Sequence, residues 1–494
     1  MSEERVVAFG ERALRFPLAE GADRRALLAS LRDVAGVVDV VLAEDTGAVV
    51  LGEGVAQGGA REAVAKVLAS NVTPRAARAP SRHVVRVVYD GEDLAHVASV
   101  VGSSVDDIVA MHSAPDYEVA MLGFLPGFAY LRGLDARLVL PRRAEPRARV
   151  PRGSLAIAAG YTAVYPLASP GGWHLLGRAV GAQLFDERGA AFAVGDRVRF
   201  ERAEAAELVA VPPRPSEAAL PQGAHLEIVK APGPAIVVDG GRIGHMHEGV
   251  PHGGAMVPAA LARANLAAGN TPGAAAIEIF GAIEIAARGG RITVADDVRG
   301  SAVLADGESL TIATEGRSRV RYLAVHGGID VPLVLGSRST LLVAAIGGYA
   351  GRPLKRGDRL APGASGGSAT SASAIARAAG EVPRLSILPG PDADERALEA
   401  IRRATFTVSL KSDRIGTRLD GPALPAHSMQ NAHDRRSRPM VRGAIEMTPS
   451  GLVVLGPDHP TTGGYPVVAV LAEAEIGALM SLPIRASLRL DFTS

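Results

Sequence analysis

Apolar and polar positions change period several times within residues 1–90, and the order of those changes predicts a topology. VVAFGERALRFPL (6–18) alternates with period two, as a strand does, and RRALLASLRDVAG (24–36) repeats its apolar positions with helical spacing. VVDVVLAED (37–45) and GAVVLG (47–52) read as two strands around a turn, REAVAKVLAS (61–70) as a second helix, and HVVRVVYD (83–90) as a last strand. The sequence β-α-β-β-α-β predicts a ferredoxin-like α+β unit over residues 1–90.

DLAHVASVVGSSVDDIVAMHS (93–113) predicts two helices around a Gly-Ser-Ser break, with Ser103 or Ser104 capping the second. From Tyr117 to FAVGDRVRF (192–200) short β segments are punctuated by Gly and Pro, which predicts a compact barrel over 91–210. VPPRPSEAALPQ (211–222) reads as a linker. Residues 223–494 are mainly β, with one clear helix at PAALARANLAAG (258–269). RIGHMHEG (242–249) is echoed by RIGTRLDG (414–421), and GAIEI (281–285) by GAIEM (443–447), which predicts two related β-barrel subdomains in this half. PGASGGSATSASAIARAAGE (362–381) is a low-complexity connector; GASGG at 363–367 fits GxSxG, but a connector lacks the strand-turn-helix setting of a nucleophile elbow.

Composition narrows the chemistry. The 494-residue chain is 47% hydrophobic, enough for several cores, and 53 Lys+Arg against 52 Asp+Glu leave a formal charge of +1, which argues against nucleic-acid binding driven by bulk charge. There is no cysteine, so thiolate nucleophiles, disulfides and cysteine metal sites are excluded. No secretory leader or membrane-length apolar run is visible, so a cytoplasmic protein is expected. None of the lysines Lys66, Lys230, Lys355 and Lys411 lies in a P-loop or between methionines as a biotin-acceptor lysine does.

Four stretches combine glycine with groups that bind anions or move protons. In PRRAEPRARVPRGS (141–154), Arg142, Arg147 and Arg149 stand on a proline-stiffened backbone whose forked guanidinium groups suit carboxylate or phosphate oxygens. In SPGGWH (169–174), Gly171 and Gly172 could offer backbone N–H groups, Trp173 a wall or a barrel plug, and His174 a proton. GSRST (336–340) is a polar cradle with Arg338, Ser339 and Thr340, and GPDHPTTGGYP (456–466) brings Asp458, Thr461 and Thr462 beside another Gly-Gly. HMHEGVPH (245–252) invites a metal, but the echoed copy carries Thr417 and Leu419 where the histidines stand, so no metal is expected.

GFLPGFAYL (123–131), PRRAEPRARVPRGS and YPLASPGGWHLLGR (165–178) resemble the KipI family, the B-type component of 5-oxoprolinase or allophanate hydrolase subunit 1, over about residues 5–205. VVDGGRIG, GVPHGGAM, YLAVHGGIDVPLVLGSRST, GGYAGRPL, DRIGTRLDGP and DHPTTGGYP resemble the KipA family, the C-type component of 5-oxoprolinase or allophanate hydrolase subunit 2, over 223–492. The chain therefore resembles a B–C fusion joined at the proline-rich linker.

The resemblance implies cyclophilin-like β-barrels behind the α+β unit. It also implies a hydrolase component that uses ATP, with Mg2+ brought by the nucleotide, to activate 5-oxoproline by phosphorylation for ring opening to glutamate with a separate A-type subunit. A carboxyltransferase component acting on urea- or allophanate-type amides, or a KipI-like kinase regulator, are the alternative implications. No nucleic-acid or membrane partner is implied, and a homo-oligomer is expected. The positions carried over to substrate or nucleotide binding are Arg142, Arg147, Arg149, Ser169, Gly171, Gly172 and Trp173 in the first half. In the second half they are Asp239, Arg242, Arg338, Ser339, Thr340, Asp413, Arg414, Thr461 and Thr462, with His174, His252 and Asp458 as the catalytic candidates. Val257 stands where the family usually has aspartate, and Glu446 where GAIQ is usual. The expected cleft lies between the two halves, and lactam-dependent turnover is expected to need Arg147 and Arg149.

Overall fold

The computed structural model describes residues 5–70, 79–208, 221–316, 318–365, 382–425 and 436–492. The proline-rich linker is almost wholly, and the low-complexity connector mostly, outside the described residues; the connector's first residues extend the strand Arg359–Ser365.

The N-terminal sheet is antiparallel and runs Val7–Ala8, Ala13–Pro17, Thr46–Leu51, Val37–Leu42, with helices Arg24–Arg32 and Gln57–Ala69. Its strands are apolar on both sides because both sides are covered. Leu14, Phe16, Val40, Val49 and Leu51 pack with the helices' Leu27, Leu31 and Val64. Val41, Ala48 and Val50 pack instead against Met440, Ala444, Val467 and Val470 near the other end of the chain. The strand Arg82–Val88, grouped with this unit by sequence order, pairs with no strand of this sheet and opens the next domain.

That domain is a closed seven-stranded barrel whose first and last strands, Arg82–Val88 and Arg197–Arg202, pair in parallel. Helices Leu94–Val101 and Val105–Ser113 follow its first strand, and Ser104, not Ser103, caps the second through a reciprocal bond with Asp107. They meet at 94°, and no single helix among the described residues is long and apolar enough to cross a membrane.

Residues 225–365 form two five-stranded sheets packed face to face over Leu226, Ile228, Val237, Ile277, Ile285 and Leu323. The helix Pro258–Ala267 lies on the outer face of the second sheet, where Leu261 and Ala264 meet Tyr322 and Ala324. Residues 384–492 form a second closed seven-stranded barrel, again with a parallel pair between its first and last strands, Arg384–Pro389 and Ser487–Phe492.

The two barrels are the same object. Numbering the seven barrel strands of each in chain order, both close in the circular order 1-6-4-5-3-2-7. Each also carries a small ribbon outside the barrel, Arg147–Val150 with Ser169–Gly171 in the first and Arg438–Pro439 with Thr462–Gly463 in the second. The internal repeat thus joins SPGGW to TTGGY, one in each half. The echo visible in sequence, RIGHMHEG and RIGTRLDG, joins unlike structures: a loop leading to the short helix Met246–Glu248, and a turn leading to the strand Gly416–Asp420.

Candidate functional site

The repeated ribbons settle what the first arginine run does. Asp93, just after the first strand of its barrel, accepts hydrogen bonds at 2.8 Å from Arg147 Nη2 and Arg143 Nη1, and at 2.7 Å from the Leu175 amide. In the second barrel Asp392 occupies the same place, with Arg438 Nη1 at 3.1 Å and the Val467 amide donating at 3.0 Å. Arg147 pairs in its ribbon with Gly171, and Arg438 with Gly463. A device present in both barrels at equivalent positions belongs to the barrel. Arg147 is thus held as a staple by Asp93, which it shares with Arg143, and by Glu92 at 3.3 Å; burial opposes ionisation of Asp93, yet Arg147 and the Leu175 amide hold its carboxyl below the usual range. Arg149 is exposed, and Arg142 is half-buried.

The glycines of SPGGW are set by packing. A Cβ on Gly171 would collide with Tyr165 Oη, and the Gly172 carbonyl accepts from the Arg143 amide at 2.8 Å. Trp173, 6% exposed, sits edge-on to Phe128 and Tyr130 at 5.5 and 5.6 Å, packed into the aromatic cluster of the first barrel. Ser169 is buried with its hydroxyl on the Pro170 carbonyl, and His174 is buried with Nε2 on the Pro141 carbonyl at 3.0 Å.

In the second half, Asp239 organises the GSRST cradle. Its carboxylate accepts from Ser337 Oγ at 2.6 Å, Ser339 Oγ at 2.7 Å and the Arg338 amide at 2.6 Å, while Thr340 Oγ1 donates to the Val237 carbonyl at 2.9 Å. Arg338 itself reaches the Val331 carbonyl at 2.9 Å. The cradle is filled by the protein's own groups. Arg242 is fully buried, with Nε on the Val334 carbonyl at 2.9 Å and Nη2 on the Ser339 carbonyl at 2.7 Å. A Cβ at Gly253 would stand 3.8 Å from Arg242 Nη1 and 3.7 Å from Asp458 Oδ1, so both atoms flank that glycine.

The histidines around 245–252 bind the halves together. Asp39, buried in the N-terminal sheet, accepts from the Gly244 amide at 2.7 Å, the Met246 amide at 2.9 Å and His252 Nε2 at 2.8 Å. His245 meets Glu248 at 3.0 Å, and His247 lies 3.3 Å from Arg32. Thr462 packs on Gly123 of the first barrel, and Thr461 is buried beside it in sequence. His252 thus belongs to an interface, whereas His174 belongs to the first barrel and does not join it.

A second buried polar cluster lies elsewhere. Arg414 Nε and Nη2 hold the two oxygens of Asp458 at 2.7 and 2.9 Å, Nη2 also reaches the Gly254 carbonyl at 2.8 Å, and Nη1 pairs with Glu278. Glu278 Oε2 accepts from Tyr322 Oη at 2.6 Å and from the Met256 amide at 2.7 Å. Burial alone would lower the Arg414 pKa, but Asp458 and Glu278 hold it above the usual guanidinium value. The sequence motifs point to Arg414 and Asp458 but not to Glu278 and Tyr322. The available signal was a carboxylate flanked by isoleucines in the wholly buried strand Ala276–Ile279. Val257 donates its amide to Tyr322 Oη at 2.9 Å, and its side chain lies beside Gly477 of the helix Glu473–Ser481.

One face of the cluster opens on a cleft of about 930 Å3. It lies between the double sheet, which supplies Pro234, Phe280, Thr314 and Arg319, and the second barrel, which supplies Asp413, Arg414, Ile415 and Asp458. Leu342 and Val343 close one side. Arg414 and Asp458 are buried where they line it, whereas Leu410, Asp413 and Ile415 are exposed. Of the expected site residues the cleft gathers Asp413, Arg414 and Asp458; it is formed within the second half, not between the halves. Asp413 Oδ1 shapes the turn by accepting the Ile415 and Gly416 amides at 2.9 and 3.0 Å.

Glu446 lies outside the cleft, beneath the second ribbon: a Cβ on Gly463 would stand 3.0 Å from its Oε1. Burial raises its pKa to about 7, with Arg418 opposing. A carboxyl raised on folding stabilises the fold below its ordinary value of 4.5, and that contribution is lost as pH rises through 7. Glu446→Gln should therefore melt above the wild type at pH 8 and converge with it near pH 4.5, which a pH series of thermal melts checks.

Comparison with known proteins places this architecture. Residues 5–194 match the description "Carboxyltransferase domain, subdomain C and D", and residues 248–492 match "Carboxyltransferase domain, subdomain A and B". The C-type component of the 5-oxoprolinase of Escherichia coli (strain K12) is 34% identical over 279 residues, spanning 52% of this chain and 88% of that protein. The chain belongs to this carboxyltransferase-domain family. The B-type component of the 5-oxoprolinase of Escherichia coli O157:H7 is 48% identical over 122 residues, 24% of this chain and 56% of that protein. The crystal structure of TTHA0988 superposes with a TM-score of 0.84 at 30% identity, covering 98% of this chain and all of that one. Carboxyltransferase-domain proteins similar to the two halves are thus enzyme components, and this chain carries both kinds in one polypeptide, as the KipI–KipA resemblance implied.

Proposed function

We propose that the chain is the fused B–C component of an enzyme that activates a small amide or lactam, 5-oxoproline first, for ring opening with a separate A-type subunit. The observation that carries the reading is the cleft between the double sheet and the second barrel, which brings Phe280, Leu342 and Ile415 together with Arg414, Asp458 and Asp413. Its volume suits a small-molecule site and exceeds what one small lactam fills. Arg414 fixes both oxygens of Asp458, which leaves that carboxylate oriented to accept an amide N–H.

ATP with Mg2+ would supply the chemistry that turns a poor amide oxygen into a leaving group. The cleft's donor set does not fit a triphosphate: of the two guanidinium groups that line it, Arg414 is consumed by Asp458 and Glu278, and Arg319 has a single unengaged nitrogen. The nucleotide is therefore assigned to no residue of this cleft. The carboxyltransferase reading draws support from the family description that both halves match.

The test is coupled ADP release. Turnover should appear only with 5-oxoproline or a close cyclic amide, and glutamate only after the A-type subunit is added. Absence of lactam-dependent turnover with an authentic partner present, alongside carboxyl transfer from a biotin carrier to urea, would move the assignment to the second reading.

A further inference from the structure

Among the described residues, the cleft contains one guanidinium with no counter-charge. Arg319 is 9% exposed and lines the cleft. Its Nε donates to the Met480 carbonyl at 3.2 Å, and Nη2 to the same carbonyl at 3.0 Å and to Thr417 Oγ1 at 2.9 Å. These acceptors are uncharged, and they explain half of the side chain: Met480 lies in the last turn of the helix Glu473–Ser481, whose terminal carbonyls a cation satisfies. Nη1 has no hydrogen-bond partner among the described residues. The cleft's other arginine, Arg414, is neutralised by Asp458 and Glu278, and Arg321 is neutralised by Asp296 and Asp297. Burial lowers the Arg319 pKa to about 10, with Glu278 and Asp413 only partly offsetting it. A buried cation lacking its anion is expensive to keep, and the missing anion is most simply a ligand's.

We propose that Arg319 receives the carboxylate of a small monocarboxylate substrate through Nη1, with the substrate's apolar body resting on Phe280, Leu342 and Ile415. The proposal rests on the amide-activating reading and names the charge class of its substrate. A carboxylate fits better than a phosphate for two reasons. Only one of the three guanidinium nitrogens is unengaged, which matches a single carboxylate oxygen. Asp413 and Asp458 stand on the same wall and would repel a dianion more strongly than a monoanion.

The experiment is isothermal calorimetry on the full chain with 5-oxoproline, its uncharged carboxamide, 2-pyrrolidone, and cyclopentanecarboxylate, which keeps the ring size and carboxylate but has no lactam. Wild type should prefer 5-oxoproline over the carboxamide by about tenfold or more, as one charge-assisted hydrogen bond provides. Arg319→Met should erase that preference while leaving carboxamide affinity unchanged. Because the preference is a ratio within each variant, moderate destabilisation does not mimic it. If Arg319→Met does not fold, Arg319→Lys, which keeps the charge without the fork, should shrink the ratio. An undiminished ratio in the variant, or a wild type that binds acid and carboxamide alike, overturns the proposal. Binding of cyclopentanecarboxylate without 5-oxoproline would keep Arg319 as the anchor while removing the lactam reading. Binding of 5-oxoproline with no dependence on Arg319 would do the reverse.

Discussion

Arg414→Met is expected to destabilise the protein by about 3–5 kcal/mol, the range for removing one partner of a buried ion pair. Arg414 is the only cation bonded to Glu278 and Asp458 among the described residues, and all three side chains are at most 6% exposed. Without it, two carboxylates face each other in an apolar setting made by Met256, Tyr322 and their neighbours. One of them must then take up a proton on folding, so the loss should be greatest at high pH and shrink as pH falls. Calorimetric melting at several pH values checks this. Combining Arg414→Met with Glu278→Gln and Asp458→Asn should recover much of the loss, because the penalty comes from unpaired charge. Equal melting of the single and triple variants would assign the loss to packing.

Asp39→Ala is the second large effect, and it should separate the two halves locally. Three donors converge on this carboxylate from one loop of the second half, the Gly244 and Met246 amides and His252 Nε2. Leaving the buried Met246 amide without an acceptor is expected to cost about 1–3 kcal/mol, with less from the part-exposed Gly244 amide and His252 ring. The same loop carries Arg242, whose amide donates to the His252 carbonyl at 2.6 Å, so the disturbance should reach the GSRST cradle. Hydrogen exchange is the readout. Protection at Gly244 and Met246 should fall sharply, with the N-terminal sheet's own amides unchanged; unaltered protection at 244 and 246 would show that the loop holds itself.

The strands and helices were legible in the chain because each has one dominant period. Two-sided burial explains what was not. VVDVVL reads as an ordinary strand, and nothing local says that one face waits for helices and the other for Met440 and Val467. HVVRVVYD fits a ferredoxin-like unit as well as a barrel, since a strand's pairing partner is not written in its own residues; the parallel bond to Arg197–Arg202 spans more than a hundred positions. The duplication was visible but attached to the wrong letters. SPGGW and TTGGY share little beyond Gly-Gly, while their ribbons, staples and strand orders coincide. For the site, arginine density misled: Arg143 and Arg147 are clustered yet share Asp93, with Glu92 also on Arg147, 50 or more positions upstream. Arg319 lines the cleft, and its Nη1 has no hydrogen-bond partner among the described residues.

The central claim is that substrate binds between the double sheet and the second barrel. A crystal structure of the full chain with 5-oxoproline tests it most directly. The expected result is ligand density in the cleft, with the carboxylate on Arg319 and the lactam N–H toward Asp458. Ligand density at the Arg142–Trp173 ribbon of the first barrel, with the cleft holding only solvent, would contradict it.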